Sequence, residues 1–226
     1  MSEPAQQTPA ATPGNTPGKR VNRREEILRA AADVFASQGF HNASLADIAA
    51  TLGITPAGVL HHFGSKTDLL TAVLELRDSA DPPPKGRRFL DHLVDTAERN
   101  AARPGTTRLY AVLSAESVTE GHPAQDWFRH RYAELRADVE AAVVDRLDPG
   151  AAVPAADGVP EAARPTREAA AAILAVMDGL QVQWLLDPDA VDMAAVTRLV
   201  ADALVTHLAG TGDGPAAGPG AADRTA

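Results

Sequence analysis

The chain has no cysteine in 226 residues. Disulfides, thiolate-held metals and cysteine nucleophiles are therefore excluded, and a reducing compartment is permitted. Aromatic residues make up only 4%. That scarcity, with few alternating runs of Val, Ile or Thr, disfavours strands, while plentiful Ala favours helices. The expected class is all-α. No apolar stretch follows the N-terminal charges, and no window approaches the roughly 20 apolar residues of a membrane-spanning helix. The reading expects a cytoplasmic protein without a membrane partner. Gly-rich phosphate loops, serine-nucleophile motifs and the two-carboxylate-plus-His pattern of a di-iron bundle are also missing, which argues against an enzyme and against a cofactor. Adjacent helical residues diverge by about 100°, so His61 and His62 do not form a metal pair.

What is present is 45% hydrophobic residues, enough for a sizeable core, and a net charge of −9 that is unevenly spread. Residues 1–66 hold six Lys and Arg against five Asp and Glu, a balance of +1, which leaves −10 for the remainder. Four of those six cations, Lys19, Arg20, Arg23 and Arg24, stand together. Residues 1–18 are interrupted by Pro4, Pro9, Pro13, Gly14, Pro17 and Gly18 and offer nothing large and apolar after Met1. Residues 1–20 are read as a disordered tail with a basic end that meets DNA phosphates.

Beyond the tail, Ile27, Ala31, Val34 and Phe35 form one stripe of a helix over about 22–38, ended by Gly39. Ser44, with Asp47 three residues on, opens a second short helix that stops at Gly53. Thr55 and Pro56 suit the cap and first turn of a third, carrying Val59, Leu60 and Phe63 to Gly64. Ser65 caps a fourth, running to about Ser79. Two short helices meeting at the tight turn Gly53-Ile54 make a helix-turn-helix, motif about 44–63, whose second helix enters the major groove. Val59 and Phe63 should face the buttress. Thr55, Pro56, Ala57, Gly58, Leu60, His61 and His62 are then left for DNA, with the Ser44 and Thr55 hydroxyls, helix N-termini and Lys66 suited to phosphate.

The run from Ile27 to Phe35, then Gly39-Phe40, the segment Ser44-Leu45-Ala46-Asp47-Ile48-Ala49, and Gly53-Ile54-Thr55 through His62-Phe63-Gly64-Ser65-Lys66 closely resemble the TetR family of regulators. The resemblance covers about 21–81. It implies a DNA-binding domain there, an all-helical ligand-binding and dimerisation domain over 82–209, and repression of transcription released by a small molecule. His62 and Lys66 match the family's phosphate-contacting pattern. Leu60 stands where the family usually carries an aromatic, often Tyr, and His61 where another is frequent. An apolar contact from Leu60, with His61 and His62 on the backbone or a base edge, is the corresponding expectation.

Past the breaker at 81–84, amphipathic segments are expected at about 87–102, 106–119, 123–147, 166–187 and 189–209, with a mobile loop at 148–165 and a disordered tail at 210–226. The last two helices should pair with their copies in a homodimer as a four-helix bundle, which predicts a pseudo-palindromic operator on double-stranded DNA. Candidates for an effector pocket are Phe89, His92, Tyr110, Leu113, Glu116, Trp127, Phe128, Arg131, Gln181 and Trp184. A ligand-binding or scaffold protein that no longer binds DNA is the rival class.

Overall fold

The computed structural model describes residues 18–79, 84, 86, 88–150 and 164–211, with side chains from Arg23 onward. Among these residues there are nine helices and no strand: α1 (Gly18–Asn42), α2 (Leu45–Thr51), α3 (Pro56–Phe63), α4 (Lys66–Ser79), α5 (Arg88–Ala101), α6 (Pro104–Glu116), α7 (Gln125–Leu147), α8 (Arg164–Leu186) and α9 (Met193–Thr211). The all-α expectation is met. Of the expected tails and loop, residues 1–17, 151–163 and 212–226 lie outside the described residues, while 18–20, 164–165 and 210–211 are helical because α1, α8 and α9 extend past their apolar stripes. α1 begins at Gly18, earlier than the apolar stripe indicated, because that stripe marks only where burial starts.

Local chemistry accounts for the first four helices. Ser44 closes a capping box on α2, its Oγ accepting from Asp47 N–H at 3.1 Å while the Asp47 carboxylate accepts from Ser44 N–H at 3.0 Å. Thr55 Oγ1 accepts from Gly58 N–H at 3.2 Å, and Pro56 occupies the first position of α3. Gly64, at φ 76°, ends α3. Ser65 Oγ then accepts from Asp68 N–H at 3.0 Å and starts α4.

Two larger cores organise the packing. One gathers Ile27, Phe35, Ile48, Val59, Phe63, Leu69 and Leu74 from α1 to α4 together with Leu109, Tyr110 and Leu113 of α6 and Phe128 of α7. The other joins Phe89 and Leu93 of α5, Val139 and Val143 of α7, Ile173 and Met177 of α8, and Ala201 of α9. The residues after 81 were expected to form a bundle of their own. α6 packs against α5 and α8 of that bundle and also runs against α1, joining the first core, because Leu109, Tyr110 and Leu113 complete the apolar face that α1 and α4 leave open.

α8 and α9 include windows of 18 residues with mean hydropathy 1.5 and 1.2, so by length and composition both are apolar enough to cross a membrane. The sequence reading expected no such stretch and underweighted the alanines. Both helices pack into the protein on one side, against α5 and α7. On the other, Val182, Leu186 and Leu199 are exposed.

Candidate nucleic-acid interface and effector cavity

The helix-turn-helix is assembled from the inside. Val59 and Phe63 are buried, and their spacing of four turns the opposite face of α3 outward, so that Thr55, Pro56, Ala57, Leu60, His61 and His62 are exposed and Gly58 is half-buried. These residues form one continuous surface. Around it, Ser44 is half-buried and committed to Asp47, whose carboxyl is held below its usual range by the hydrogen bonds from Ser44. Arg23 pairs with Glu26 at 3.1 Å, and Arg24 lays its guanidinium over the Phe63 ring at 4.8 Å, bracing the end of α3. Lys66 is half-buried, its ammonium 4.2 Å from the centre of the Phe40 ring. That apolar setting lowers its pKa. The side chains of Lys19 and Arg20 lie outside the described residues.

The ten pocket candidates do not converge on one site. Phe89, His92 and Arg131 share a cavity of about 100 Å³ between α4, α5, α6 and α7, lined also by Arg77, Asp78, Leu93, Thr96, Arg99, Asn100, Arg103, Thr106 and Leu135. Phe128 borders a separate hollow with Ser114, Ser117 and Tyr132, and Trp127 packs on it with ring centres 4.9 Å apart. Trp184 lines a hollow at the start of α9 with Val191 and Met193. Gln181 is buried beside Met177 and Thr197, and its Oε1 has no hydrogen-bond partner. Tyr110 and Leu113 are core residues, Tyr110 lying under the Arg77 guanidinium at 3.9 Å.

Glu116 faces away from these hollows. It accepts a hydrogen bond from the Phe40 N–H at 2.6 Å, tying the end of α6 to the last turn of α1, just past the kink at Gly39. His122 closes the same junction. Its side chain is fully buried, its Nδ1 accepts from Ala124 N–H at 3.2 Å, and its ring stands edge-on to Phe40 and His41 at 5.3 and 5.2 Å. An accepting Nδ1 assigns the proton of the neutral ring to Nε2, which lies 3.8 Å from Glu116 Oε2. Burial pushes the His122 pKa down.

Comparison with known proteins matches this architecture twice over. Residues 27–73 fit the profile of bacterial regulatory proteins of the tetR family, and 85–209, more than half the chain, fit that of the BetI-type transcriptional repressor C-terminal region. The chain belongs to the TetR family. It is 29% identical over 188 residues to the transcriptional regulator TtgR of Pseudomonas putida, covering 75% of this chain and 83% of that one. A TetR family regulator from Agrobacterium tumefaciens superposes with a TM-score of 0.63 at 20% identity over 81% of this chain and 97% of that one. The SmeT–triclosan complex superposes with a TM-score of 0.61 at 17% identity over 82% and 91%.

Membership bears out the resemblance read from 21–81 and makes this TetR family protein a DNA-binding transcriptional regulator rather than an enzyme. Sequence reasoning missed two groups of residues. Arg77, Asp78, Arg99 and Arg103 were passed over because each reads as a solvated helix charge until three helices bring them to one cavity. His122 carried no motif. Its only signal was the breaker Gly121-His122-Pro123, which marks a turn but not what the turn touches.

Proposed function

We propose that this TetR family protein is a cytoplasmic homodimeric repressor that binds a pseudo-palindromic operator and releases it when a small molecule occupies the ligand domain. The observation that carries the reading is the outward face of α3, where six positions are exposed on one surface of a helix anchored by Val59 and Phe63. A helix presented this way fits a major groove about 12 Å wide. Ala57 and Gly58 let its backbone approach closely, Leu60 offers an apolar surface to a thymine methyl, and His61 and His62 offer hydrogen bonds to base edges or phosphate.

Dimerisation follows from the other end. Ala175, Gly179, Val182 and Leu186 recur along α8 at helical spacing, beside Ala195, Leu199 and Ala203 of α9, and most of them are exposed. Small residues permit close approach and Val182, Leu186 and Leu199 supply the area to bury, which suits a four-helix bundle with a second copy. α4 connects the two ends. Its first turn follows α3 directly, and its last turn carries Arg77 and Asp78 into the cavity, so a ligand there biases the separation of the recognition helices. The SmeT complex with triclosan supports a small-molecule effector for this chain as well.

The test is selection of operator sequences from random duplexes with purified full-length protein. Enrichment of an inverted repeat, its half-sites centred about one helical turn or a multiple apart, is the expected result. Replacing Lys66 by Ala should weaken binding to every sequence and reduce the salt slope by about 1. No enrichment over random duplexes would overturn the reading.

A further inference from the structure

Among the described residues, cations outnumber anions around the cavity between α4, α5, α6 and α7: the guanidiniums of Arg77, Arg103 and Arg131 line it with the carboxylate of Asp78, and Arg99, also on the lining, is engaged with the Thr96 hydroxyl at 2.8 Å. Asp78 Oδ1 is shared, lying 2.9 Å from Arg131 Nη2 and 3.9 Å from Arg77 Nη1. The Nε of Arg77 and the Nε of Arg131 are both buried with no hydrogen-bond partner. Leaving the N–H of a charged group dry and unpaired is costly, and an anion is the ligand that removes the cost. Asp178, also near Arg77, has its carboxyl engaged by the Tyr132 hydroxyl at 2.7 Å and does not line the cavity.

Two further features point the same way. The opening turn of α6 brings Arg103 and Thr106 to the cavity, and Arg103, its N-cap, makes no side-chain capping bond, so the positive end of that helix adds to the attraction for an anion there. Phe89, Leu93 and Leu135 give the opposite wall an apolar surface. The volume of about 100 Å³ is about two-thirds of the ~150 Å³ that accepts a single aromatic ring, so it favours a small ligand.

Resting on the reading of this cavity as the effector site, we propose that the effector is a compact organic carboxylate, one ring or a short chain, held by Arg131 and Arg77. Arginine forks suit a carboxylate bidentately. The incoming carboxylate takes the place of Asp78 on Arg131. Since Asp78 lies in the last turn of α4, the exchange detaches that helix end from α7 and gives the ligand its differential affinity for two positions of α4.

Calorimetric titration of the full-length protein with benzoate and butanoate, each against its amide, and with inorganic phosphate, tests the assignment. At least one carboxylate should bind roughly tenfold or more tighter than its amide, as a charge-assisted pair requires. Arg131→Gln should lose that preference. Asp78→Asn, which removes the internal competitor and keeps the side chain's size, should tighten the carboxylate about tenfold, so the outcome does not hang on a variant that fails to fold. Equal binding of acid and amide, no binding of either acid up to about 10 mM, phosphate binding without carboxylate binding, or a weakening by Asp78→Asn would each overturn it. So would carboxylate binding that leaves a selected operator in place. Failure to bind any operator would instead overturn the regulator reading and leave the titrations to decide the anion site by themselves.

Discussion

Gly39 adopts φ 73° and ψ 174°, a region that is essentially closed to residues with a Cβ. A Cβ there would stand 2.2 Å from Glu116 Oε1, so the same carboxylate that caps the Phe40 N–H leaves no room for a methyl group. Gly39→Ala is expected to cost about 2 kcal/mol or more, from backbone strain and the displaced carboxylate together, as measured by urea unfolding. A loss near zero would show that the α1–α6 junction is loose. His122, in that junction, makes a second expectation. Its pKa is lowered in the folded state, so between the folded value and the unfolded value of about 6.5 the unfolded chain binds the extra proton. Stability is therefore full above about pH 6.5 and falls as the pH drops below it. The charged or titratable groups around it are Glu116 on α6, His41 at the end of α1 and Lys66 on α4, whose ammonium covers the shared Phe40 ring. Unfolding curves across the range from neutral to mildly acidic pH should be flatter for His122→Leu than for the parent; parallel curves would contradict this. Gly39 was legible as a helix break, but its junction with Glu116 and His122 was not. Glu116 is 76 residues from the amide it caps, and separation of that length carries no periodic or capping signal.

Elements were far more readable, because caps and breakers act over three or four residues. The capping box of Ser44 and Asp47, the Thr55 cap with Pro56, and the stops at Gly53 and Gly64 all stand as local rules place them. Thr55→Ala should lower stability by about 1 kcal/mol and, since that cap sets the first turn of α3, weaken operator binding beyond the stability loss. Gel-shift titration at a temperature where both proteins are folded separates the two. Where the reading of elements stopped short was in partnership. Amphipathic spacing said that α6 buries a face, but it does not say against what, and the face turned out to serve α1 as well as the helices that follow. The effector candidates scattered for the same reason. Phe89, His92 and Arg131 converge on one cavity, while Trp184, Gln181 and Phe128 lie in three other hollows, since the direction of a side chain in a bundle depends on helix rotation.

At the scale of the whole molecule, the exposed apolar stripe on α8 and α9 is the surface through which the proposed dimer would associate. Val182 and Leu199 are 50% and 67% exposed in the single chain, too much large apolar surface to find together on one face without a partner. Replacing both with Asp is expected to give monomers by light scattering and to abolish tight operator binding while leaving helix content unchanged. Dimers that persist would move the interface elsewhere.

The core shared by α1, α4 and α6 has one more consequence, for engineering. Regulators with separable heads invite chimeras in which one protein's DNA reader is stitched to another's sensor between α4 and α5. Here that cut would strip Leu109, Tyr110, Leu113 and Phe128 from their neighbours on the head and leave Phe40 without its Glu116 cap. A working hybrid would have to carry the facing surface of α6 and the turn through His122 along with the head, so the unit that can be exchanged is defined by packing rather than by the order of the chain.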